Sequence, residues 1–247
     1  MKLASRAHAG LAISLSVAGL ALAGCQKPWD DAFGKQVHAY LMAHPEVIRE
    51  AAVKLAENDR MAAAKASAAS LSRYRAQLER DPRDFVANPG GSVTVVEFFD
   101  YRCGYCKSAA PEVMKLIREN PDVRFVFKEL PIFHEVSDTA AQAALTSQGK
   151  AKGLELYQAL MREPALNDAG LDRILTANGL DAIATRAAGE QPAIKRHILD
   201  TRGLAAALRI DGTPAFVIGD TMIPGADMAA LKAAITQAKA GGLKHPS

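Results

Sequence analysis

An α/β fold is predicted by three observations along this chain of 247 residues. The β-branched and aromatic run SVTVVEFF (92–99) is followed by a helical pattern and by a second such run, DVRFVFKELPI (122–132). Helical patterns then fill 135–208, and a strand pair, AFVI and TMIP, precedes a last amphipathic helix. Strand, helix and strand at this spacing predict a right-handed βαβ unit with parallel strands. The predicted order is therefore βαβ, an all-helical insertion and ββα, preceded by an N-terminal helical segment.

The N-terminus is interpreted as a secretory signal peptide over residues 1–24. Lys2 and Arg6 supply positive charge, and AGLAISLSVAGLALAG (9–24) is an uninterrupted run of apolar and small residues. The run ends in Leu-Ala-Gly directly before Cys25, which resembles a bacterial lipobox. We therefore expect a lipid on the Cys25 sulfur, and the alternative is an ordinary signal peptide followed by a chance cysteine.

Export places the protein in an oxidising compartment, where disulfides persist. We expect it in the periplasm, anchored by lipid to a bacterial membrane, and Gln26 in place of an aspartate favours the outer membrane. The formal charge of the chain is +3, and loss of Lys2 and Arg6 would lower it to +1. Because the charge is small and no long Lys/Arg run is present, we expect no nucleic acid partner.

Residues 25–82 are expected to form a tether and a helical segment. Phe33, Val37 and Tyr40 fall at helical spacing, and Pro45 suits the first turn of a second helix. The Ala-rich sequence that follows has good helix formers but few large apolar residues, so it cannot build a core alone. We expect residues 31–80 to associate with another copy of the chain; a solvated helical linker is the alternative.

A break dense in Pro, Gly and Asp, DPRDFVANPGG (81–91), marks the predicted domain boundary. The domain that follows is predicted to span 83–247. Gly179 and Gly189 are predicted to end helices of its insertion. Gly219-Asp220 predicts the turn of a hairpin between AFVI and TMIP.

Two of the three cysteines, Cys103 and Cys106, form a C-x-x-C pair directly after the first strand of the βαβ unit. A structural zinc site usually takes four Cys or His ligands. This chain has one Cys pair and scattered histidines, so we expect no metal. An inert disulfide is also disfavoured, because closing so short a loop restricts the unfolded chain little. In an exported chain, a C-x-x-C at a strand-to-helix junction indicates redox chemistry.

The predicted position of the pair suits thiol exchange. The strand delivers Cys103 to a helix N-terminus, where unpaired backbone N–H groups and the helix dipole favour a thiolate. A lowered thiol pKa gives more thiolate at neutral pH and a better leaving group. Cys106 lies one turn further along the helix and can attack a mixed disulfide formed at Cys103. We expect Cys103 to be the nucleophile and Cys106 the resolving thiol, with no cofactor.

Two further features accompany the cysteines. Glu97 lies in the buried run VVEFF, where a carboxylate is unfavourable unless it has a task. We interpret it as a proton acceptor for Cys106, and the alternative is a partly solvated acid paired with Lys128. Before the AFVI strand, a cis Thr213–Pro214 bond would expose backbone groups to a bound peptide, whereas a trans bond is the alternative.

The sequences VVEFFDYRCGYCK and GTPAFVIG, with a long helical insertion between them, resemble the DsbA-like branch of the thioredoxin superfamily over roughly residues 85–240. The resemblance implies a thioredoxin fold with a helical insertion. It also implies a thiol–disulfide oxidoreductase that acts on exported proteins. Under this resemblance Cys103 and Cys106 are the redox-active pair and Glu97 is the buried acid.

Details within that branch point to a subgroup. Thr213 and Pro214 correspond to the loop that faces the disulfide, and together with Gly104 and Tyr105 they are the expected client-binding residues. The Gly-Tyr dipeptide and the threonine are similar to bacterial disulfide isomerases and to ScsC-like and Com1-like proteins. The segment AYLMAHPEVIREAAVKL resembles the N-terminal oligomerisation region of that subgroup.

Three functions remain open from the sequence. A disulfide isomerase or reductase is favoured, because an oligomer lets several active sites face one misfolded client. A dithiol oxidase uses the same residues, and only its reduction potential and the partner that recharges it set the direction. A Cu(I)-handling protein would use the two soft thiolates as ligands. The expected partners are exported proteins with cysteines and a membrane redox protein.

Overall fold

The computed structural model describes residues 31–133 and 135–241, and the chain divides into two compact units, 1–56 and 57–247. The predicted signal peptide (1–24) and the predicted lipidation site, Cys25, lie outside the described residues. Within the described residues, no helix combines the length and the apolar character needed to cross a membrane.

The described part of the first unit is helical. Helix α1 spans Asp31–Ala43, and helix α2 spans Glu46–Arg73, so that it begins in the first unit and ends in the second. The interruption between them lies at Pro45, as the sequence predicts. No residue of α1 is buried, and more than half of the side-chain surface of Phe33 and Tyr40 is exposed.

The second unit contains a five-stranded sheet with the order β1-β3-β2-β4-β5. The strands are β1 (Phe85–Ala87), β2 (Val93–Phe99), β3 (Val123–Glu129), β4 (Ala215–Ile218) and β5 (Thr221–Pro224). Strands β2 and β3 run parallel, as predicted for the βαβ unit, whereas β1–β3, β2–β4 and β4–β5 are antiparallel pairs. Every residue of β2 is buried, because the strand is central and both of its faces are covered.

Helices pack on both faces of this sheet. In the described residues of the second unit they are α3 (Arg75–Glu79), α4 (Gly104–Glu119), α5 (Val136–Leu145), α6 (Ser147–Lys152), α7 (Leu154–Arg162), α8 (Asp168–Ala177), α9 (Ala182–Gly189), α10 (Pro192–Ala207) and α11 (Met228–Gly241). Helix α4 connects the two parallel strands. Helices α5 to α10 are the predicted insertion between β3 and β4.

The two faces of the sheet carry separate apolar clusters. One cluster contains Val95, Phe99 and Phe127 of the strands together with buried residues of α4, α7, α8 and α11. The other contains Val96 and Phe98 with residues of α2, α3 and α10. Successive strand residues point to opposite faces, so the sheet separates two environments for polar side chains.

The end of the predicted association segment belongs to the second cluster. Leu71 and Leu78 are 0% and 1% exposed and pack in the cluster of Val96 and Phe98. The sequence places the boundary near residues 82–83, whereas the structure places the division between Ala56 and Glu57. The physical reason is burial: the last part of α2 and the whole of α3 cover one face of the sheet.

One local prediction differs from the structure, and two are confirmed. The break at 81–91 contains the short strand β1, which pairs with β3 and is too brief for a period-two pattern to be recognised. Gly179 follows α8 with a φ of +74°, as expected for a helix stop. Gly189 is the last residue of α9, also as predicted, and a Cβ atom there would lie 3.0 Å from the Cβ of Gln142.

Candidate active site

Cys103 occupies the N-cap position of α4, immediately after the turn that follows β2. Its backbone N–H donates to the Asp100 carbonyl oxygen at 3.1 Å. Its Sγ donates to the carbonyl oxygen of Thr213 at 3.2 Å, so the thiol lies against the loop that precedes β4. Two segments that are distant in the chain therefore meet at one sulfur atom.

The surroundings of Cys103 favour its thiolate. Hydrogen bonds lower the pKa of Cys103 from 9.0 to about 5 against the opposing effect of burial, and the largest contribution comes from the Cys106 thiol. Thr213 and the backbone N–H groups of Cys106 and Tyr105 contribute the rest of the lowering. These N–H groups are the backbone donors of a helix N-terminus, the source of stabilisation that the sequence predicts.

Cys106 lies in the first turn of α4 and is 0% exposed. Burial raises the pKa of the Cys106 thiol, and the hydrogen bond to Cys103 and the nearby Glu97 carboxyl raise it further. Both cysteines are free thiols in this structure. The pair thus consists of one activated thiol and one protonated thiol behind it, the asymmetry that a nucleophile and a resolving cysteine require.

Glu97 is buried in β2 on the sheet face that carries α4, α7, α8 and α11. The Tyr157 hydroxyl of α7 donates to the two carboxyl oxygens of Glu97 at 3.2 and 3.3 Å. Burial raises the pKa of Glu97 to about 8, and the Tyr157 hydrogen bond opposes that rise. A carboxyl poised near neutral pH can take a proton from a buried thiol and later release it.

The alternative pairing of Glu97 with Lys128 is wrong. Glu97 stands opposite Phe127 in the parallel register, so Lys128 points to the other face of the sheet. There the Lys128 ammonium forms an ion pair with Asp84 at 2.5 Å and donates to the Gln77 carbonyl oxygen at 2.6 Å. The buried acid and the buried lysine therefore belong to opposite sides of the sheet.

The predicted client-binding residues differ in their contact with the Cys103 thiol and in their exposure to solvent. The Thr213–Pro214 peptide bond is cis, and the Thr213 carbonyl oxygen contacts Cys103. Gly104 and Tyr105 are exposed, and the Tyr105 side chain is 72% exposed. This aromatic ring, exposed to water beside Cys103, is available for contact with another molecule.

Asp100 is a site residue that the sequence reasoning missed. Its carboxylate is buried and accepts hydrogen bonds from the Arg102 N–H at 2.6 Å and the Ser137 hydroxyl at 2.8 Å. Its other oxygen accepts from the N–H groups of Ile132 and Phe133 at 2.7 and 3.1 Å. Asp100 therefore ties the cysteine turn to the loop between β3 and α5. A polar residue directly after a buried strand is the signal that could have found it.

Tyr157 was also missed, because nothing in the α7 sequence distinguishes a tyrosine that reaches Glu97 from any other buried tyrosine. Its ring packs against Phe99 and Phe127 with centroid distances of 5.3 and 5.0 Å. Only the packing of the insertion on the sheet places its hydroxyl beside the carboxyl.

An ultraviolet titration of the reduced chain, residues 26–247, is expected to detect thiolate formation centred near pH 5, because hydrogen bonds stabilise the Cys103 thiolate and lower its pKa. Cys103→Ser should remove this transition. Cys106→Ala should move it to higher pH, since it removes the donor that lowers the pKa most. A transition near the ordinary pKa of 9.0 in the unaltered chain would contradict the expectation.

Comparison with protein families gives two matches. A family described as DSBA-like thioredoxin domain matches residues 94–236, more than half of the chain. A family described as copper resistance protein ScsC N-terminal domain matches residues 31–62. The two matches follow one another along the chain in the order in which the N-terminal helical segment of residues 31–80, called the arm, and the sheet domain occur.

Solved structures give the same assignment. A thioredoxin-like oxidoreductase from Silicibacter pomeroyi is 40% identical, with a TM-score of 0.63, over 67% of this chain and 97% of that chain. BcfH of Salmonella enterica Typhimurium is 33% identical, with a TM-score of 0.70, over 85% of this chain and 95% of that chain. Proteus mirabilis ScsC is 28% identical, with a TM-score of 0.64, over 86% of this chain and 99% of that chain.

The curated relatives include a much longer protein. The Na+/H+ antiporter NhaA 1 of Salinispora arenicola is 31% identical over 181 residues, which are 67% of this chain and 26% of that relative. This chain thus spans about a quarter of the length of that relative. The family matches and the structural matches together identify the chain as an ScsC-like member of the DsbA-like thioredoxin family, the thiol–disulfide oxidoreductases.

Proposed function

We propose that this protein is an extracytoplasmic disulfide isomerase and reductase that acts through Cys103 and Cys106. The observation that carries the proposal is the asymmetry of the two thiols. Cys103 has a lowered pKa at a helix N-terminus, and Cys106 is protonated and buried behind it. The Cys103 thiolate can attack a wrongly paired client disulfide, and Cys106 can resolve the mixed disulfide that forms. This asymmetry supports thiol–disulfide exchange, and the preference for isomerisation over oxidation rests on the N-terminal helices.

Isomerisation needs no net oxidation or reduction. The Cys103 thiolate attacks a client disulfide and forms a mixed disulfide, and one client sulfur leaves as a thiolate. That client thiolate attacks another disulfide of the client, and a client sulfur finally displaces Cys103 as a thiolate. If the client stalls, Cys106 loses its proton to Glu97 and attacks the Cys103 sulfur. This step releases a reduced client and leaves a Cys103–Cys106 disulfide.

Reduction by this second route makes a further partner necessary. Each Cys103–Cys106 disulfide must be returned to the dithiol by an external thiol donor, for which we propose a membrane redox protein. The predicted signal peptide and Cys25 support work in the periplasm on exported proteins, with the chain attached to a membrane by lipid. The outer membrane is the proposed location.

The helical arm supports isomerisation rather than oxidation, because it supplies a means of self-association. Phe33, Val37 and Tyr40 of α1 are 56%, 40% and 57% exposed, and Ile48 and Leu55 of α2 are 58% and 62% exposed. Exposed apolar groups at such spacing favour burial against a second amphipathic surface. We propose that this surface is the same arm of another copy, so that several dithiols face one client.

The arm is tested with scrambled ribonuclease and the chain 26–247. Val37→Glu with Tyr40→Glu should produce a smaller species in sedimentation and lose most of the reactivation, because charged side chains oppose burial of the arm. The matched control is Lys35→Glu with Gln36→Glu, which changes exposed polar residues of the same helix. A chain without residues 26–56 should likewise form a smaller species and lose most of the reactivation. It should still fold, because it retains Leu71 and Leu78 in the apolar cluster of Val96 and Phe98.

The alternatives predict different results in the same assays. A dithiol oxidase would oxidise reduced ribonuclease rapidly and fail to reactivate the scrambled form, with or without the arm. A Cu(I)-handling protein would bind copper stoichiometrically through the two thiols and exchange no client disulfide. Full reactivation by a monomeric variant would contradict the proposed role of the arm.

A further inference from the structure

A second carboxyl is buried on the same sheet face as Glu97. Glu129 is the last residue of β3 and stands opposite Phe99, two positions beyond the pair that Glu97 forms with Phe127. Because side chains alternate along a strand, Glu97 and Glu129 share one face. Glu129 is 6% exposed, and the exchange steps described above do not use it.

Each buried carboxyl has its own tyrosine. The Tyr101 hydroxyl donates to Oε1 of Glu129 at 2.8 Å, as the Tyr157 hydroxyl donates to Glu97. The rings of Tyr101 and Tyr157 are 6.3 Å apart and both pack on Phe99. The two Tyr–Glu pairs therefore belong to one aromatic cluster on the side of the sheet that carries the dithiol.

A small cavity lies between these pairs and the insertion. Its volume of about 20 Å³ has room for about one water molecule. Polar and small lining residues include Tyr101, Glu129, Tyr157, Gly149 and Lys150. Oε2 of Glu129 is buried and makes no hydrogen bond within the described part of the chain. A polar cavity beside a carboxyl oxygen without a partner is a suitable place for a bound water.

The cavity also leads away from the dithiol. Lys150 belongs to α6, is only partly buried and donates to the Arg83 carbonyl oxygen at 3.1 Å. The cavity lining thus extends from Tyr157, which contacts Glu97, to a side chain at the protein surface. These polar groups form a short path along which a proton can reach solvent. The path does not pass the Cys103 thiol, which a bound client would cover.

We propose that Glu129 is a positioning residue for the exchange reaction: it holds a water molecule in the cavity, and through this water the proton of Glu97 passes from Tyr157 to solvent. This inference rests on the proposed exchange at Cys103 and Cys106, but not on its direction. The cluster would then connect the buried acid with solvent beside Lys150.

The proton leaves Cys106 through a series of successive transfers. Cys106 gives its proton to Glu97, the Cys106–Cys103 bond forms, and the client sulfur leaves with the electron pair of the broken mixed disulfide. Glu97 passes the proton to the Tyr157 oxygen while Tyr157 gives its own proton to the cavity water. The water, which Oε2 of neutral Glu129 holds in the cavity, passes a proton on to solvent beside Lys150.

The charges around Glu129 agree with a neutral carboxyl. Burial raises the pKa of Glu129 well above its usual range, the Tyr101 hydrogen bond opposes the rise, and nearby carboxylates add to it. The titratable groups that face it or act on it are Glu97 of β2, Asp100 and Tyr101 of the cysteine turn, Asp84 before β1, Lys150 of α6 and Tyr157 of α7.

The test is rapid mixing of the reduced chain, residues 26–247, with a disulfide peptide, which separates capture by Cys103 from resolution by Cys106. Glu129→Gln keeps the shape and an acceptor for Tyr101, but it replaces the carboxyl oxygen that holds the water with an amide NH2 group. Capture should stay unchanged, whereas resolution should slow by about tenfold and lose part of its pH dependence, since acid–base assistance contributes factors of this order or larger. The control is Glu155→Gln, an exposed acid on the helix that carries Tyr157.

Infrared difference spectra between the dithiol and disulfide states detect changes at carboxyl groups directly. A purely structural role of Glu129 would not produce such a signal. The unaltered chain should show a carboxyl band that disappears in Glu129→Gln and persists in Glu155→Gln. Tyr101→Phe, which loses a single hydroxyl, should shift that band, and it serves as the test if Glu129→Gln does not fold. An unchanged pH profile and an unchanged spectrum in Glu129→Gln would overturn the inference. Failure of the unaltered chain to capture the peptide would overturn the proposed function as well.

Discussion

Replacing Cys103 with alanine is expected to abolish thiol–disulfide exchange. The variant loses the thiolate that the helix N-terminus, the Cys106 thiol and Thr213 stabilise. Cys106 cannot substitute, because it is 0% exposed and burial raises its pKa. Reduction of an insulin or peptide disulfide should therefore fall to the uncatalysed rate.

Replacing Cys106 with alanine is expected to have the complementary effect. Cys103 still attacks a client, but no neighbouring thiol releases the mixed disulfide, which should accumulate on non-reducing gels. Capture should also slow near and below neutral pH, because Cys106 makes the largest contribution to the lowered pKa of Cys103.

A matched variant separates loss of chemistry from loss of folding. Ser108 is exposed in the same helix, and its hydroxyl donates to the Tyr105 carbonyl oxygen at 2.8 Å. Ser108→Ala should exchange disulfides at the unaltered rate. Retention of full activity by Cys103→Ala would refute the assignment of the nucleophile.

Glu97→Gln is expected to slow resolution of the mixed disulfide on the order of a hundredfold, the lower range for loss of an acid–base group. Glu97 must be ionised to accept the Cys106 proton, and its pKa is about 8. The resolution rate of the unaltered chain should therefore rise with pH up to about pH 8 and then level off. The variant should lack this rise, while capture by Cys103 stays unchanged.

The same substitution is expected to stabilise the reduced protein at alkaline pH. A carboxyl with a folded pKa of about 8 and an ordinary pKa of 4.5 binds more protons in the folded than in the unfolded state between those values. The free energy of unfolding therefore falls as pH rises through this window, and above it the loss is on the order of a few kcal/mol. The side-chain amide that Glu97→Gln introduces has no titratable proton, so this variant avoids the loss.

Urea unfolding below pH 4.5 and above pH 8 measures the effect. The stability difference between Glu97→Gln and the unaltered chain should be larger at the higher pH. Glu155→Gln serves as the control and should show no such change. Tyr157→Phe should move the kinetic profile to higher pH, because the Tyr157 hydrogen bond lowers the pKa of Glu97. Equal pH dependence of Glu97→Gln and the unaltered chain would exclude Glu97 as the buried acid.

Much of the fold could be predicted from local patterns. The strands β2, β4 and β5 and the helix after Cys103 lie where β-branched runs, the Gly219-Asp220 turn and helical spacing place them. Strand β1 could not be predicted, because its three residues pair with β3 within a Pro- and Gly-rich stretch. The burial of the C-terminal end of the arm could not be predicted either. Leu71 and Leu78 pack against sheet residues that come later in the sequence.

The sequence by itself determined the chemistry of this protein: two thiols at a strand-to-helix junction, with the first at a helix N-terminus and an acid in the preceding strand. These features depend on residues close together in the chain, whose geometry follows from strand and helix periods. Only the tertiary structure decided that Tyr157 contacts Glu97, that Lys128 lies on the opposite face, and that Glu129 shares the face of Glu97. Those relations depend on strand register and on how the insertion packs, because both bring together side chains that local patterns cannot connect.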